Sequence, residues 1–270
     1  MNLTHLRGHD LAWEAAGHAG PRVLLIMGFG FSSDAWRPQV EDLSPTCRVV
    51  RYDNRGLHRS TAGDGPHDLP NLAADAAALL DHLDWPDAHV VGISMGGMIA
   101  QHLALRHRQR VRSLALIATH AGGGLWHTLP TLRGLRLFLT ANVRRGEGRL
   151  QALSELLFTP AWRAHLARQG WTPSELRTIA TPSDPRIRAA HLRSLLTHDV
   201  RHELPHLANL PTLVLQPIHD ALVPPRCSAE IASLLPGARL LPIPAGHGAL
   251  VEARDVVSRA LLDHIHAHDA

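Results

Sequence analysis

Three residues far apart in the sequence have the types and the chain order needed for covalent acyl transfer. Ser94 lies in a G-x-S-x-G motif at residues 92–96, between a strand pattern and a helix pattern. Asp220 follows the apolar run 212–216, and His247 lies in a loop before the last helix pattern. A serine hydroxyl needs a base to become a nucleophile, and the base needs a carboxylate to orient it. The pattern predicts Ser94 as nucleophile, His247 as base and Asp220 as the orienting acid.

Two backbone N–H groups are predicted to form the oxyanion hole of this site. Met95 follows the nucleophile and begins a predicted helix, whose free N–H groups favour developing negative charge. Phe29 lies in the glycine-rich turn after the apolar run 22–27, and its N–H is predicted to be the second donor. Gly28 in the same turn is predicted to contact substrate.

A mainly parallel sheet is needed to bring these loops to one edge. Short apolar runs alternate with amphipathic helix patterns, which is typical of a doubly wound α/β fold. The predicted strands are 22–27, 48–52, 88–93, 111–118, 212–216 and 238–243, and the predicted core helices are 71–83, 95–107 and 250–266. The segment before residue 22 suits an antiparallel edge hairpin. Asp75 and Asp81 are expected to point to water from their helix.

A helical insertion interrupts the strand pattern. Residues 122–207 contain helix patterns broken by prolines and no long β-branched run. Residues 1–121 and 208–270 are therefore predicted to form the α/β core, with 122–207 as a cap over the carboxyl edge of the sheet, where such folds bind ligands. Trp126 and Phe138 of the insertion are predicted to bind substrate.

Composition excludes several kinds of chemistry. The 270 residues carry a net charge of only +3, and the basic residues other than histidine are all arginine. Without lysine there is no Schiff-base chemistry and no Walker-type phosphate loop. The basic run 106–112 has no interleaved aromatics, so a solvated helix end is preferred over nucleic-acid binding. The predicted partner is a small-molecule ester substrate, and this prediction comes from the pattern of Ser94, Asp220 and His247 and not from composition.

No cofactor, metal or membrane partner is predicted. No run reaches the roughly 18 apolar residues of a membrane span, and residues 1–10 do not resemble a signal peptide. Cys47 and Cys227 have no metal or redox spacing, so a cytoplasmic location is the default expectation. The histidines between 264 and 268 are expected to lie in a frayed polar tail and not to bind metal. The oligomeric state is left open.

The motifs together resemble the α/β-hydrolase superfamily over nearly the whole chain. Residues 24–30 look like its first strand and oxyanion turn, 53–60 like its D-x-R-G-x-G-x-S turn and 90–97 like its nucleophile turn. Residues 210–224 resemble its acid loop and 243–247 its histidine loop. Bacterial methylesterases and small carboxylesterases are the most similar branch.

The resemblance has three departures and implies no catalytic role for the D-x-R-G turn. Met27 replaces a common histidine before the oxyanion turn, His58 replaces the second glycine of the D-x-R-G-x-G-x-S turn, and Pro217 lies where a glycine usually precedes the acid. Asp53 and Arg55 are expected to be structural, because they belong to a structural turn in the family.

The predicted function is hydrolysis of a carboxylic ester of a small or medium-sized substrate through an acyl-enzyme. Enol-lactone hydrolysis, carbon–carbon bond hydrolysis and perhydrolysis stay open, because they use the same three residues. Ser94 argues against dehalogenases and epoxide hydrolases of this fold, which need an aspartate nucleophile. A non-catalytic binding protein is a further alternative, since fold alone does not fix function.

Overall fold

A mixed, mostly parallel sheet forms the centre of the protein. The computed structural model describes residues 1–180 and 184–269, except for the side chains of residues 125 and 126. The described chain forms one eight-stranded sheet in the order β1-β2-β4-β3-β5-β6-β7-β8. The strands are β1 (Asn2–Leu6), β2 (His9–Ala16), β3 (Arg22–Ile26), β4 (Arg48–Tyr52), β5 (Ala88–Ile93), β6 (Val111–Ile117), β7 (Thr212–Pro217) and β8 (Arg239–Ile243). The predicted edge hairpin is β1 and β2, whose pairing is antiparallel, and β3 to β8 run parallel.

Helices cover both faces of the sheet, which explains why the central strands are mostly apolar. The helices are α1 (Arg37–Leu43), α2 (Leu69–His82), α3 (Met95–Arg106), α4 (Gly124–Thr128), α5 (Leu132–Val143), α6 (Gly146–Leu157), α7 (Pro160–Arg168), α8 (Pro185–Thr197), α9 (Pro225–Leu234), α10 (Ala249–Glu252) and α11 (Arg254–Ala267). The apolar cluster on one face includes α2, α3 and α9, and the cluster on the other includes α1 and α11. Every residue of β5 is buried, as expected for a parallel strand covered on both sides.

The prediction of a frayed tail near the carboxyl end was wrong for His264. Helix α11 extends to Ala267, and the side chain of His264 is buried within it. The rings of His264 and His268 meet edge to face with centroids 4.9 Å apart. Burial and the neighbouring His268 lower the pKa of His264 to about 4. The predicted single helix 250–266 is also divided, because Ala253 has non-helical dihedral angles (φ −128°, ψ 38°) between α10 and α11.

Asp75 does not point to water, contrary to prediction. Its carboxylate is 1% exposed and accepts two hydrogen bonds from the Arg55 guanidinium, at 2.8 and 2.6 Å. A third hydrogen bond, at 2.8 Å, comes from Arg7. The turn after β4 places Arg55 against α2. Its guanidinium neutralises the carboxylate of Asp75, which the helical periodicity places at the edge of the apolar face of α2.

Asp53 organises the same turn from its other side. Its carboxylate accepts hydrogen bonds from the backbone N–H of Ser33 and from Nε of Arg59, both at 2.7 Å. Burial raises the pKa of the Asp53 carboxyl, but these hydrogen bonds outweigh burial and hold the pKa below its usual value. The contacts of Asp53 hold the turn to the loop after β3.

Helices α4 to α8 lie between β6 and β7 in the chain and have an apolar cluster of their own. That cluster includes Leu150, Leu153, Leu166 and Leu176, packed with partly buried aromatic side chains. The chain leaves and rejoins the core at adjacent points, because the N–H of Val200 donates to the carbonyl of Ala121 at 2.8 Å. The division into core and cap at residues 121 and 208 stays a prediction. Within the described chain, no helix combines the length and the apolar character of a membrane span.

Candidate active site

Ser94 occupies a strained turn between β5 and α3. Its dihedral angles (φ 55°, ψ −123°) are unusual for a residue with a side chain, and only surrounding structure can hold them. Its N–H donates to the carbonyl of Ile117 at 2.9 Å, and its carbonyl accepts a hydrogen bond from the hydroxyl of Thr119 at 2.8 Å. The turn is therefore anchored to β6, and it places the serine just before the first turn of α3.

Glycines make this turn possible, because neighbouring backbone leaves no room for a β-carbon. A Cβ on Gly96 would lie 2.1 Å from the carbonyl oxygen of Ile26, and one on Gly92 would lie 2.3 Å from that of Gly96. A Cβ on Gly28 would lie 3.2 Å from Cβ of Ser94. The predicted oxyanion turn therefore approaches the predicted nucleophile closely.

Asp220 and His247 are joined by a hydrogen bond of 2.7 Å between Oδ2 and Nδ1. The other carboxylate oxygen of Asp220 accepts from the N–H groups of Leu222 and Val223, at 2.8 and 2.9 Å. Asp220 is 3% exposed and His247 is 7% exposed, so both groups are shielded from bulk water. A carboxylate fixed in this way orients the imidazole and favours the tautomer that carries its proton on Nδ1.

The two N–H groups predicted for the oxyanion hole are available. Phe29 follows Gly28 in the turn after β3, and Met95 is the first residue of α3. Among the hydrogen bonds of the described chain, neither backbone N–H has an acceptor. Unpaired donors at a helix N-terminus and in an adjacent turn suit an anionic oxygen.

A cavity of about 460 Å³ joins the serine turn, the turn after β3 and the histidine loop. Ser94 and His247 both line it, with Gly28 and Phe29 from the turn after β3. Its volume is in the range of sites for small molecules. A more open cleft of about 800 Å³ lies beside α7, but neither Ser94 nor His247 lines it.

The insertion supplies much of the cavity wall. Phe138 of α5 lines the cavity, and its ring lies 6.1 Å from that of Phe29, measured between centroids. The side chain of Trp126 lies outside the described part of the structure, so its predicted contact with substrate stays a prediction. Leucines complete most of the wall: Leu129, Leu135, Leu139, Leu153, Leu156, Leu157, Leu176, Leu192, Leu195, Leu196, Leu222 and Leu250.

Sequence reasoning missed two residues that border the site. His120 lines the cavity, and burial lowers the pKa of its ring to about 4, so it is neutral. Glu252 accepts hydrogen bonds from the N–H groups of Gly246 and Thr159, at 3.0 and 3.2 Å, and so links the histidine loop to α7. No motif marks either residue. Among the described residues, no group of His, Cys, Asp and Glu is arranged to hold a metal ion.

The sheet order, the strained serine turn and the histidine–carboxylate pair together define a hydrolase of the α/β class. The family model described as "alpha/beta hydrolase fold" matches residues 21–253. The chain belongs to this family, as its motifs predicted.

Curated relatives and solved structures support the same assignment. A protein of Azorhizobium caulinodans named "Putative carbamate hydrolase RutD" is 31% identical over 265 residues, which is 97% of each chain. The enol-lactonase of Burkholderia xenovorans LB400 superposes with a TM-score of 0.84 at 26% identity, covering 97% of this chain and 99% of that one. A thermophilic esterase of Thermogutta terrifontis, solved with malate bound, gives a TM-score of 0.81 at 28% identity, covering 99% of this chain and 97% of that one. This chain is similar to hydrolases over its whole length.

Proposed function

We propose that the protein is a serine hydrolase that cleaves carboxylic esters of small or medium-sized substrates through an acyl-enzyme. The observation that carries the proposal is the pairing of His247 with Asp220 at the wall of the cavity that Ser94 also lines. A histidine oriented by a buried carboxylate is suited to remove a proton from a serine in the same cavity.

In the proposed reaction, Oγ of Ser94 attacks the acyl carbon while Nε2 of His247 takes the serine proton. The negative charge that develops on the acyl oxygen is stabilised by the N–H groups of Phe29 and Met95. Collapse of this intermediate breaks the ester bond, and His247 returns the proton to the leaving alcohol. Water then attacks the acyl-enzyme and gives a proton to His247. As the bond between the acyl carbon and Oγ of Ser94 breaks, His247 returns this proton to Oγ and the carboxylic acid is released.

The relatives favour a second candidate, hydrolysis of a carbamate or an enol-lactone by the same residues. The solved neighbours include an esterase and an enol-lactonase, and the curated relatives are named for carbamate hydrolysis. All of these substrates have an acyl carbon bonded to a heteroatom that leaves, so one nucleophile serves them all.

Covalent labelling tests the proposal. A fluorophosphonate probe should label the wild type at Ser94, and Ser94→Ala should lose both labelling and esterase activity, the latter by several orders of magnitude. Intact mass and peptide mapping give the site, and rates with nitrophenyl esters, an enol-lactone and a carbamate rank the substrates. Ser174→Ala, whose hydroxyl bonds Glu147 on the surface, serves as the matched control and should label like the wild type.

Two results would contradict the proposal. One is labelling that persists in Ser94→Ala with the same stoichiometry, which would place the nucleophile elsewhere. The other is a wild type that neither reacts with the probe nor hydrolyses any ester, lactone or carbamate.

A further inference from the structure

One permanently charged side chain lines an otherwise apolar cavity. Among the described residues around the cavity of Ser94 and His247, Arg149 is the only Arg, Lys, Asp or Glu. Most of the others are aliphatic or aromatic, so a guanidinium is out of place there unless it has a ligand to bind. Asn142, from the preceding helix α5, is a second polar group on the same wall.

The described part of the chain leaves the charge of Arg149 without a carboxylate partner. No carboxylate of the described residues lies within ion-pair distance of it, whereas Arg55 and Arg59 each have such a partner. The undescribed residues 181–183 are Thr, Pro and Ser, so they supply no carboxylate side chain either. Among the described residues, the guanidinium makes one hydrogen bond, which Nη1 donates to the backbone carbonyl of Ala180.

The surroundings of Arg149 are unfavourable for a cation. The side chain is half-buried, and burial lowers the pKa of its guanidinium. The nearby charge of Arg188 on α8 lowers that pKa further. An anion in the cavity would relieve both effects, because it would supply the opposite charge that the protein lacks.

Helix α6 sets the distance between this charge and the reacting groups. Arg149 lies in its first turns, and Leu157 ends it eight residues later, about 12 Å along the axis. The carbonyl of Leu157 accepts a hydrogen bond from the N–H of Gly248 at 2.8 Å, directly beside His247. Leu153 and Leu156 line the cavity along the way, so the helix presents a charge at one end and apolar side chains between it and the catalytic end.

We propose that the substrate carries a carboxylate remote from its scissile bond, and that Arg149 binds this carboxylate inside the cavity. The inference rests on the proposed serine hydrolase and names its substrate class: half-esters or lactones derived from dicarboxylic acids. The apolar carbon chain of such a molecule would lie against Leu153 and Leu156, and its free carboxylate would reach the guanidinium.

The expected contribution of Arg149 is set by the strength of a charge-assisted hydrogen bond. Such a bond stabilises by about 1.5–3 kcal/mol, which corresponds to roughly a 10- to 150-fold difference in affinity. An uncharged ester of equal length lacks this interaction and leaves the guanidinium without its partner. We therefore expect a preference of at least about tenfold in kcat/KM for the anionic ester.

Two series of nitrophenyl esters test the inference. One holds half-esters of dicarboxylic acids of increasing length, and the other holds monocarboxylic esters of matching length. A third set, in which the carboxylate is on a phenolic leaving group, shows whether the anion belongs to the acyl or the alcohol part. The wild type should favour one of the anionic sets, and free dicarboxylates should inhibit hydrolysis of a neutral ester more strongly than monocarboxylates do.

Variants of Arg149 give the decisive comparison. Arg149→Met should abolish both the preference and the selective inhibition, whereas Arg149→Lys should retain part of each, since lysine keeps the charge without the planar fork. Arg136→Met is the matched control: Arg136 is exposed on α5 and does not line the cavity, so the preference should not change. Thermal unfolding of each variant checks that it is folded.

The outcomes separate this inference from the function it rests on. A wild type that hydrolyses neutral esters through Ser94 but prefers them to both anionic sets at every length would overturn the carboxylate assignment alone. A preference that survives in Arg149→Met would overturn the role of Arg149. Failure of Ser94 to be labelled, together with no hydrolysis in any set, would remove the proposed function and this inference with it.

Discussion

At the scale of single residues, the site depends on where side chains are absent. Gly28, Gly92 and Gly96 let three segments of backbone meet around Ser94, whose own conformation is strained. The G-x-S-x-G motif predicts this arrangement well, because a tight strand-to-helix turn requires small residues close to the serine in the sequence. The turn with Gly28 and Phe29 follows β3, whereas Ser94 follows β5. Its glycines nevertheless allow the turn to be predicted from the sequence.

Gly28→Ala should impair turnover more than folding. The new Cβ would lie 3.2 Å from Cβ of Ser94 and 3.2 Å from the carbonyl oxygen of Ile93, so the turn or the serine must shift by a few tenths of an ångström. Misplaced reacting groups lower rates steeply, and we expect kcat to fall roughly 10- to 100-fold. Ester hydrolysis and urea unfolding, measured on the same preparation, check this expectation.

Gly30→Ala provides the contrast for that measurement. Gly30 has φ +72°, and apart from its two chain neighbours no heavy atom of the described residues lies within 4 Å of the position that a Cβ would take there, so alanine meets backbone strain without a clash. The expected loss is about 1–2 kcal/mol in the free energy of unfolding. If Gly28→Ala lost stability to a similar degree and kept full kcat, the close approach to Ser94 would not matter for turnover.

At the scale of elements, the carboxylate of Glu252 joins the start of α7 to the histidine loop. It accepts from the N–H of Gly246 on one side, and from the N–H and hydroxyl of Thr159 at the start of α7 on the other. The hydrogen bond from Gly248 to Leu157 runs beside it. The orientation of His247 is therefore tied to the positions of α6 and α7.

Glu252→Ala should loosen this junction. Two part-buried N–H groups would lose their acceptor, at a cost of about 1–3 kcal/mol in the free energy of unfolding, and kcat should fall because His247 is less well held. Urea unfolding and steady-state kinetics measure the two effects. Glu147→Ala is the control: Glu147 pairs with Arg177 on the surface, and such pairs contribute about 1 kcal/mol or less. Equal effects of the two substitutions would show that the junction is not special.

The elements also show which features the sequence could predict. Strands and core helices follow from periodicity and turn residues, and Ser94, Asp220 and His247 follow from motifs in loops at strand ends. Asp75 was wrongly expected in water, because its partner Arg55 comes from a turn that periodicity does not place on α2. No motif includes Arg149. Its position at the cavity could not be predicted from the sequence, because the cavity walls belong to several separate helices.

At the scale of the whole molecule, buried histidines make stability depend on pH. Burial lowers the pKa of His102 and His198 to about 3, and that of His120, His191 and His264 to about 4. These rings stay neutral in the folded protein down to those values, whereas the unfolded chain binds protons near pH 6.5. Stability from this source is therefore complete above about pH 6.5 and is lost as the pH falls towards 4.

The free energy of unfolding should consequently fall steeply between about pH 6.5 and pH 5. Each of these buried histidines lowers the free energy of unfolding by up to about 1.4 kcal/mol per pH unit as the pH falls through that range. The buried histidines together lower it several-fold more. Urea unfolding at pH 7.5 and pH 5.5 measures the difference. His102→Met, which fills the same space without titrating, should show a shallower dependence; an identical slope would argue against His102 as a contributor.

The hydrogen bond between Ala121 and Val200 has a consequence for how this protein and its relatives diversify. The two residues are neighbours in space, and the 78 residues between them begin and end at the same point of the sheet edge. The entropy of closing such a segment grows only with the logarithm of its length, so a longer or different segment changes it little. The register between β6 and β7 does not depend on the segment. We expect that the whole segment from residue 122 to residue 199 can be exchanged for that of a homologue by splicing at these two residues. Substrate preference would then be inherited from the donor of the segment, and Ser94, Asp220 and His247 from the recipient, with full turnover expected only where the donor segment keeps the contacts that Leu157 and Thr159 make with the histidine loop.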